Sequence, residues 1–200
     1  MSSWGTSPDA VDNKPSHLTA EEKRDVYATE KGWTAPAGGN DNPAADREVL
    51  VAIGDLSGGS SATKGLQEAT ITSLRFTPGT TATTDHTAGG GATVTIEITW
   101  DEAVTVVGAP VMKVVNSGGG THDCVYTVAG STANKKVFKV AGQTLATGNV
   151  LSLGTALHDA VTLPGGSSIK DTPDLATDTP VINSQRGLAA AIRVTHTVVA

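Results

Sequence analysis

The sequence predicts an all-β protein: a β-sandwich preceded by an extended N-terminal arm that carries one short helix. Three observations carry this. The 200 residues include 23 glycines, with only 17% charged and 4% aromatic residues, a balance that favours strands joined by turns. Apolar and polar positions alternate with period two in several short runs, the mark of half-buried strands. Glycine-rich spacers separate those runs at hairpin distances, and no run keeps a helical period for long.

Residues 1–46 carry Pro8, Pro15, Pro36 and Pro43 among Gly, Asn, Asp and Ser, a composition that buries little surface and reads as an extended arm. Within it, Thr19 stands three residues before Glu22, the spacing of a capping box, and Gly32 stands where a C-terminal cap belongs. One helix over Ala20–Lys31 is expected. Its apolar stripe is Val26, Tyr27 and alanines, too little to hold about three turns in water without a partner surface. Trp4 and Trp33 are two of the three tryptophans, and such large side chains in a segment short of core material are anchors. They pack either on the chain's own domain or on another subunit.

REVLVAI, Arg47–Ile53, is the first strand, and Ser57–Gly65 is a flexible linker. Residues 47–68 therefore form a strand and linker, and the sandwich occupies 69–200. ATVTIEITW shows its pattern: Val94, Ile96, Ile98 and Trp100 face the core, while Thr95, Glu97 and Thr99 face away. ITSLRF, PVMKVV, CVYTV, KKVFKV and AAIRVTHTVVA continue it, spaced by NSGGG, AGSTAN and LPGGSS, for about seven to nine strands.

With 14 basic and 20 acidic residues the net charge is -6, so no cationic excess is available for phosphates or anionic lipid, and neither nucleic acid nor membrane is an expected partner. The start of the chain, MSSWGTSPDA, has no basic and apolar signal segment, and no run approaches the roughly 18 apolar residues of a membrane span. The chain is expected to be made and kept soluble, or to leave the cell by a route that these residues do not encode legibly. Cys124 is the single cysteine, which excludes an intrachain disulfide framework and a cysteine-based zinc cage.

Each candidate for chemistry has a plainer reading. Asp101 and Glu102, in WDEAVTVVGAP, are adjacent at a strand end, so their carboxylates diverge, whereas a hydrolytic pair must converge across a cleft. They are expected on a solvated strand edge. Asp171 and Asp174 could add oxygen ligands for calcium, but no D-x-[DN]-x-[DN]-G run is present. His122 and Cys124 share a strand face about 7 Å apart, beyond base–nucleophile reach, so Cys124 is expected buried and inert. His86, His158 and His196 have no partner at ligand spacing and are expected on the surface. Glycines 89–91 and 118–120 lack the lysine and helix of a phosphate loop. KKVFKV reads as a charged edge strand. No catalytic residue, metal or cofactor is expected.

Two resemblances add to this reading. The stretch from ATVTIEITW to KKVFKV, with the later GGSSIKDTPD, resembles bacterial Ig-like repeats over residues 69–185. Glu102 and Val104 match that pattern's Glu and Val, and Gly108 with Pro110 its turn; Trp100, Asp101 and Ala103 depart from it. The leader, with MSSWGTSP and YATEKGWTAPAGGNDNPAADREVLVAIGDL, is similar to small virion structural proteins of tailed phages. Together these imply a non-enzymatic capsid decoration, or cement, protein with an Ig-like β-sandwich. It would be made in the host cytoplasm and placed on the outer surface of the phage head. Its partners would be the major capsid protein shell and neighbouring copies of itself, and its contact residues Trp4, Tyr27, Trp33, Val49, Leu50, Val51 and Ile53. The alternative is an Ig-like module for host-surface or environmental glycans, with Tyr126 and the two arm tryptophans as stacking residues.

Overall fold

The computed structural model describes residues 14–38, 42, 44–57, 66, 69–77, 86–87, 89–153, 161–171 and 195–199. The expected capping box forms: Thr19 donates its backbone N–H and its hydroxyl to Glu22 Oε2 at 2.8 and 2.7 Å, and the Glu22 N–H returns to Thr19 Oγ1 at 3.3 Å. The helix it starts, α1 (Glu22–Asp25), lasts only four residues, and Val26 is already extended at φ -93 and ψ 132. The expectation of a helix to Lys31 does not hold. Four helical residues bury no side chain of α1 itself, whereas an extended course puts Val26 and Ala28 inside at 1% exposure each.

The chain continues as β1 (Tyr27–Thr29), β2 (Gly32–Ala35) and β3 (Glu48–Ala52), an antiparallel sheet in the order β1-β2-β3. Gly32 is a strand residue here rather than a helix cap. Its φ is +118, and a Cβ would lie 2.1 Å from the Val51 carbonyl oxygen, so only glycine lets β2 approach β3. Val26, Ala28, Trp33, Leu56 and Leu66 form a small core, with Leu18, Ala35, Leu50, Val51 and Ile53 packed on it. The described part of the arm is therefore folded rather than extended, and its sheet runs across the expected boundary at 46/47.

The larger body contains β4 (Ile71–Thr77), β5 (His86–Thr87), β6 (Gly89–Trp100), β7 (Val104–Val107), β8 (Val111–Asn116), β9 (Thr121–Thr127), β10 (Lys135–Leu145), β11 (Val150–Ser152), β12 (Val161–Thr162), β13 (Ser168–Asp171) and β14 (Thr195–Val199). A nine-stranded sheet runs β4-β6-β10-β9-β8-β11-β14-β5, with β12 also on β8, and β7 pairs with β13 separately. β5 ends this path and β6 is second from its start, yet one residue separates them in the chain, so the sheet curls toward closure. The fold is all-β, a sandwich close to a barrel.

Its core is that of the alternation: Val94, Ile96, Ile98 and Trp100 are all at 0% exposure, in one cluster with Phe76, Met112, Val114 and Phe138. Two expectations fail. KKVFKV is not an edge strand: β10 lies between β6 and β9, and Lys136 is tolerated inside because its ammonium reaches the Thr132 carbonyl at 2.6 Å. His196 is not on the surface but buried, its ring 4.9 Å from that of Phe76. The outward face of β6 is covered as well, with Glu97 at 7% and Thr99 at 1%.

Candidate functional site: a charged joint and an outer edge strand

The N-terminal module meets the large sheet at β4 and at the end of β6. Residues Ala20, Lys23 and Arg24 line a small depression together with Thr72 and Ser73 of β4. Arg75 of β4 pairs with Glu97 at 2.8 Å and reaches Glu21 at 3.7 Å, and Lys135 reaches Asp25 at 3.5 Å. These contacts place α1 over the end of the large sheet.

The joint closes on Trp100, Asp101 and Glu102. The Trp100 carbonyl accepts from Lys14 Nζ at 3.0 Å and from Asn134 Nδ2 at 3.1 Å. Lys14 Nζ also donates to the Lys23 carbonyl at 2.6 Å, and Asn134 Nδ2 to the Arg24 carbonyl at 3.1 Å. The Ala28 N–H donates to the Asp101 carbonyl at 2.7 Å, and Ala28 bridges to Glu102 in parallel. One edge of the small sheet, β1, is thus stitched to the sandwich.

Asp101 and Glu102 are at 0% exposure, which overturns the expectation of a solvated strand edge. Period-two alternation is right for an isolated strand end, but the N-terminal module lands on this one. Asp171 at 6% and Lys14 at 5% are enclosed with them. Burial pushes the Asp101 carboxyl up to about 7; the Thr70 N–H, 2.6 Å from Oδ1, and the Lys14 ammonium oppose that rise, and Asp171 adds to it. Loss of hydration disfavours the charged form. Among the described residues no group of three or more His, Cys, Asp or Glu is placed to hold a metal ion; Asp174 lies outside them.

The other candidates are packing residues. Both ring nitrogens of His122 are engaged, Nδ1 2.7 Å from Gln143 Oε1 and Nε2 3.2 Å from Asn116 Nδ2. Cys124 is fully buried with Sγ 3.6 Å from the Val94 carbonyl, and burial pushes its thiol up to about 12. His86 and His158 have side chains outside the described residues.

The predicted contact residues are gathered on the small sheet, with one exception: Trp4 lies outside the described residues. Trp33 is at 0% exposure in the small core, so it holds the module together and cannot serve as a surface anchor. Tyr27 is half-buried, its ring 4.1 Å under the Arg47 guanidinium. Leu50, Val51 and Ile53 pack partly on the small core, and Val49 is 39% exposed. Sequence reasoning missed Arg47, which joins three segments: Nε donates to Thr34 Oγ1 at 3.0 Å and Nη2 to the Thr34 carbonyl at 2.9 Å and to the Asp25 carbonyl. It also missed Lys14 and Asn134, since nothing local marks a lysine or asparagine that bonds to carbonyls distant in sequence.

Because β1 is docked, β3 is the far edge of the small sheet, and among the described residues it pairs with β2 alone. A depression of about 340 Å3 opens beside it, lined by Glu30, Lys31, Arg47 and Val49 among others. No helix among the described residues is long and apolar enough to cross a membrane. Comparison of the chain with protein-family models, with curated proteins and with solved structures gives no match.

Proposed function

We propose that this chain is a non-enzymatic structural protein of a phage virion, a decoration or cement protein that seats on the capsid shell through its N-terminal module and carries the sandwich outward. The observation that carries the reading is the orientation of the small sheet: β1 is held by the sandwich, which leaves β3, with Val49 exposed, at the opposite edge. An edge strand of this kind adds to a strand of another protein through main-chain hydrogen bonds, with alternate side chains giving specificity. The resemblance of the leader to tailed-phage virion proteins supports a shell as that other protein. Contacts repeated over many copies sum, so modest affinity per copy stabilises a shell strongly.

The contact set becomes Val49, Leu50, Val51 and Ile53 with Tyr27 at its flank, and Trp33 acts through the module's core. Burial of Trp33 also removes one of the three stacking residues on which a glycan-binding reading rests. Co-sedimentation with undecorated phage heads tests the proposal. Full-length protein is expected to bind saturably at a fixed ratio to shell subunits, and Val49→Asp, folded by circular dichroism, is expected to lose that binding. No saturable binding by the full-length chain sinks it.

A further inference from the structure

His122 is 8% exposed on β9, and side chains from the strands on both sides hold its ring: Asn116 at the end of β8 and Gln143 of β10. The two amides settle which ring nitrogen carries the proton. Asn116 Oδ1 already accepts the Gly118 N–H at 2.9 Å, so the atom it turns to the ring is Nδ2, a donor, and His122 Nε2 at 3.2 Å accepts. The Gln143 amide is oriented in the same way. Its Nε2 donates to the Ala141 carbonyl at 2.9 Å, which leaves Oε1 to accept from His122 Nδ1 at 2.7 Å. The ring is thus neutral with its proton on Nδ1, and the hydrogen bonds run one way from the Gly118 N–H to the Ala141 carbonyl.

We propose that His122 is an acid-sensitive catch on the β8–β9 turn, Ser117–Gly120, which a second proton on the ring releases. That proton would sit on Nε2 and face the amide hydrogens of Asn116, donor against donor. The conflict is relieved when Asn116 turns its Oδ1 to the charged ring, but the Gly118 N–H then meets Nδ2 and loses its acceptor. Ring proton and turn therefore compete for one oxygen. The turn is exposed from Ser117 to Gly120, so the freed N–H goes to water. The tip stays hinged on the backbone, with the Gly119 N–H on the Asn116 carbonyl at 3.0 Å and the Ser117 N–H on the Val150 carbonyl of β11 at 2.9 Å.

Among the described residues, the charged neighbours Lys113 and Asp123 oppose each other in the β8–β9 register and are exposed on the face away from His122, a face that Lys139 of β10 shares. On the ring's own side the titratable neighbour on β9 is Cys124, its thiol pushed up to about 12 and so uncharged. His196 of β14 lies beyond Asn116, across Leu151 of β11. β6, β8 and β10 bring apolar side chains to that core, among them Val94, Val114 and Phe138. The sign follows from linkage. The held turn needs a neutral ring, so the released form binds the proton more tightly. The catch holds above the ordinary imidazole value of about 6.5 and weakens as pH falls below it, by up to about tenfold per unit. This goes beyond the shell-binding reading and does not depend on it.

NMR on the full chain tests it. At pH 8 the nitrogen resonances of the His122 ring are expected to report a protonated Nδ1 and a bare Nε2. As pH is lowered to 4, the Gly118 amide proton is expected to move upfield, as an amide losing its acceptor does, on the same curve as the His122 ring, while amides inside β6 stay in place. His122→Gln keeps a hydrogen-bonding side chain without the titration and is expected to hold the Gly118 resonance constant. A proton on Nε2 at pH 8, a Gly118 resonance that does not move between pH 8 and pH 4 in the wild-type chain, or one that still moves in folded His122→Gln overturns the catch. Should that variant fail to fold, the two wild-type curves decide: coincidence supports the catch, and divergence overturns it.

Discussion

Lys14 Nζ lies 3.0 Å from the carbonyl oxygen of Trp100, a hydrogen bond between residues 86 positions apart. It ties the lead-in to the N-terminal module to the end of β6, in the company of buried Asp101. Replacing Lys14 by Met keeps the stem and removes the ammonium. Loss of one partner from a buried charged set costs about 3–5 kcal/mol, and urea unfolding at pH 7 is expected to show a loss of that size. The deficit should shrink toward pH 5: without the ammonium the Asp101 carboxyl moves further up, and its penalty falls on the alkaline side.

Trp33 is fully buried in a core of five residues. Trp33→Ala is expected to cost about 3–5 kcal/mol, concentrated in the N-terminal module. Hydrogen exchange read by mass spectrometry should show β1–β3 deprotected while β6 and β10 remain slow. Uniform deprotection of both bodies would mean that the small core is not a separate cooperative unit.

Arg47 stacks on Tyr27 and donates to Thr34 and Asp25 with one planar group. A lysine cannot reproduce that fork. Arg47→Lys is expected to lose about 1.5–3 kcal/mol in denaturant melts, nearly as much as Arg47→Ala. A silent Arg47→Lys would show that the stack, not the directed hydrogen bonds, carries the effect.

The Cys124 thiol, pushed up to about 12 and fully buried, is expected not to react with a thiol-disulfide reagent at pH 8 in the native protein. The same reagent should titrate one thiol per chain in urea. Rapid native reaction would place Cys124 at an open surface.

Much of the sandwich was legible because its strands obey local rules. Val94, Ile96, Ile98 and Trp100 fall at period two and all are buried, and the Thr19–Glu22 capping box forms as its spacing predicts. What followed the box was not legible. A cap signals where a helix can begin, but Val26 and Ala28 gain more by entering a core that Leu56 and Leu66, from later in the chain, help to build. The buried contact tryptophan, Trp33, was misplaced for the same reason: an arm that looked too poor in apolar residues borrows them from beyond residue 47.

The sequence by itself determined the all-β class, the core face of β6, the burial of Cys124 and the net negative charge, because composition and alternation act within a few residues. Tertiary structure alone decided that Asp101 and Glu102 are sealed in a joint with Lys14 and Asp171, that β10 is central, and that β3 is the outer edge of the small sheet. Those outcomes depend on which segments meet across tens of residues, and the burial they produce pushes the Asp101 carboxyl up to about 7.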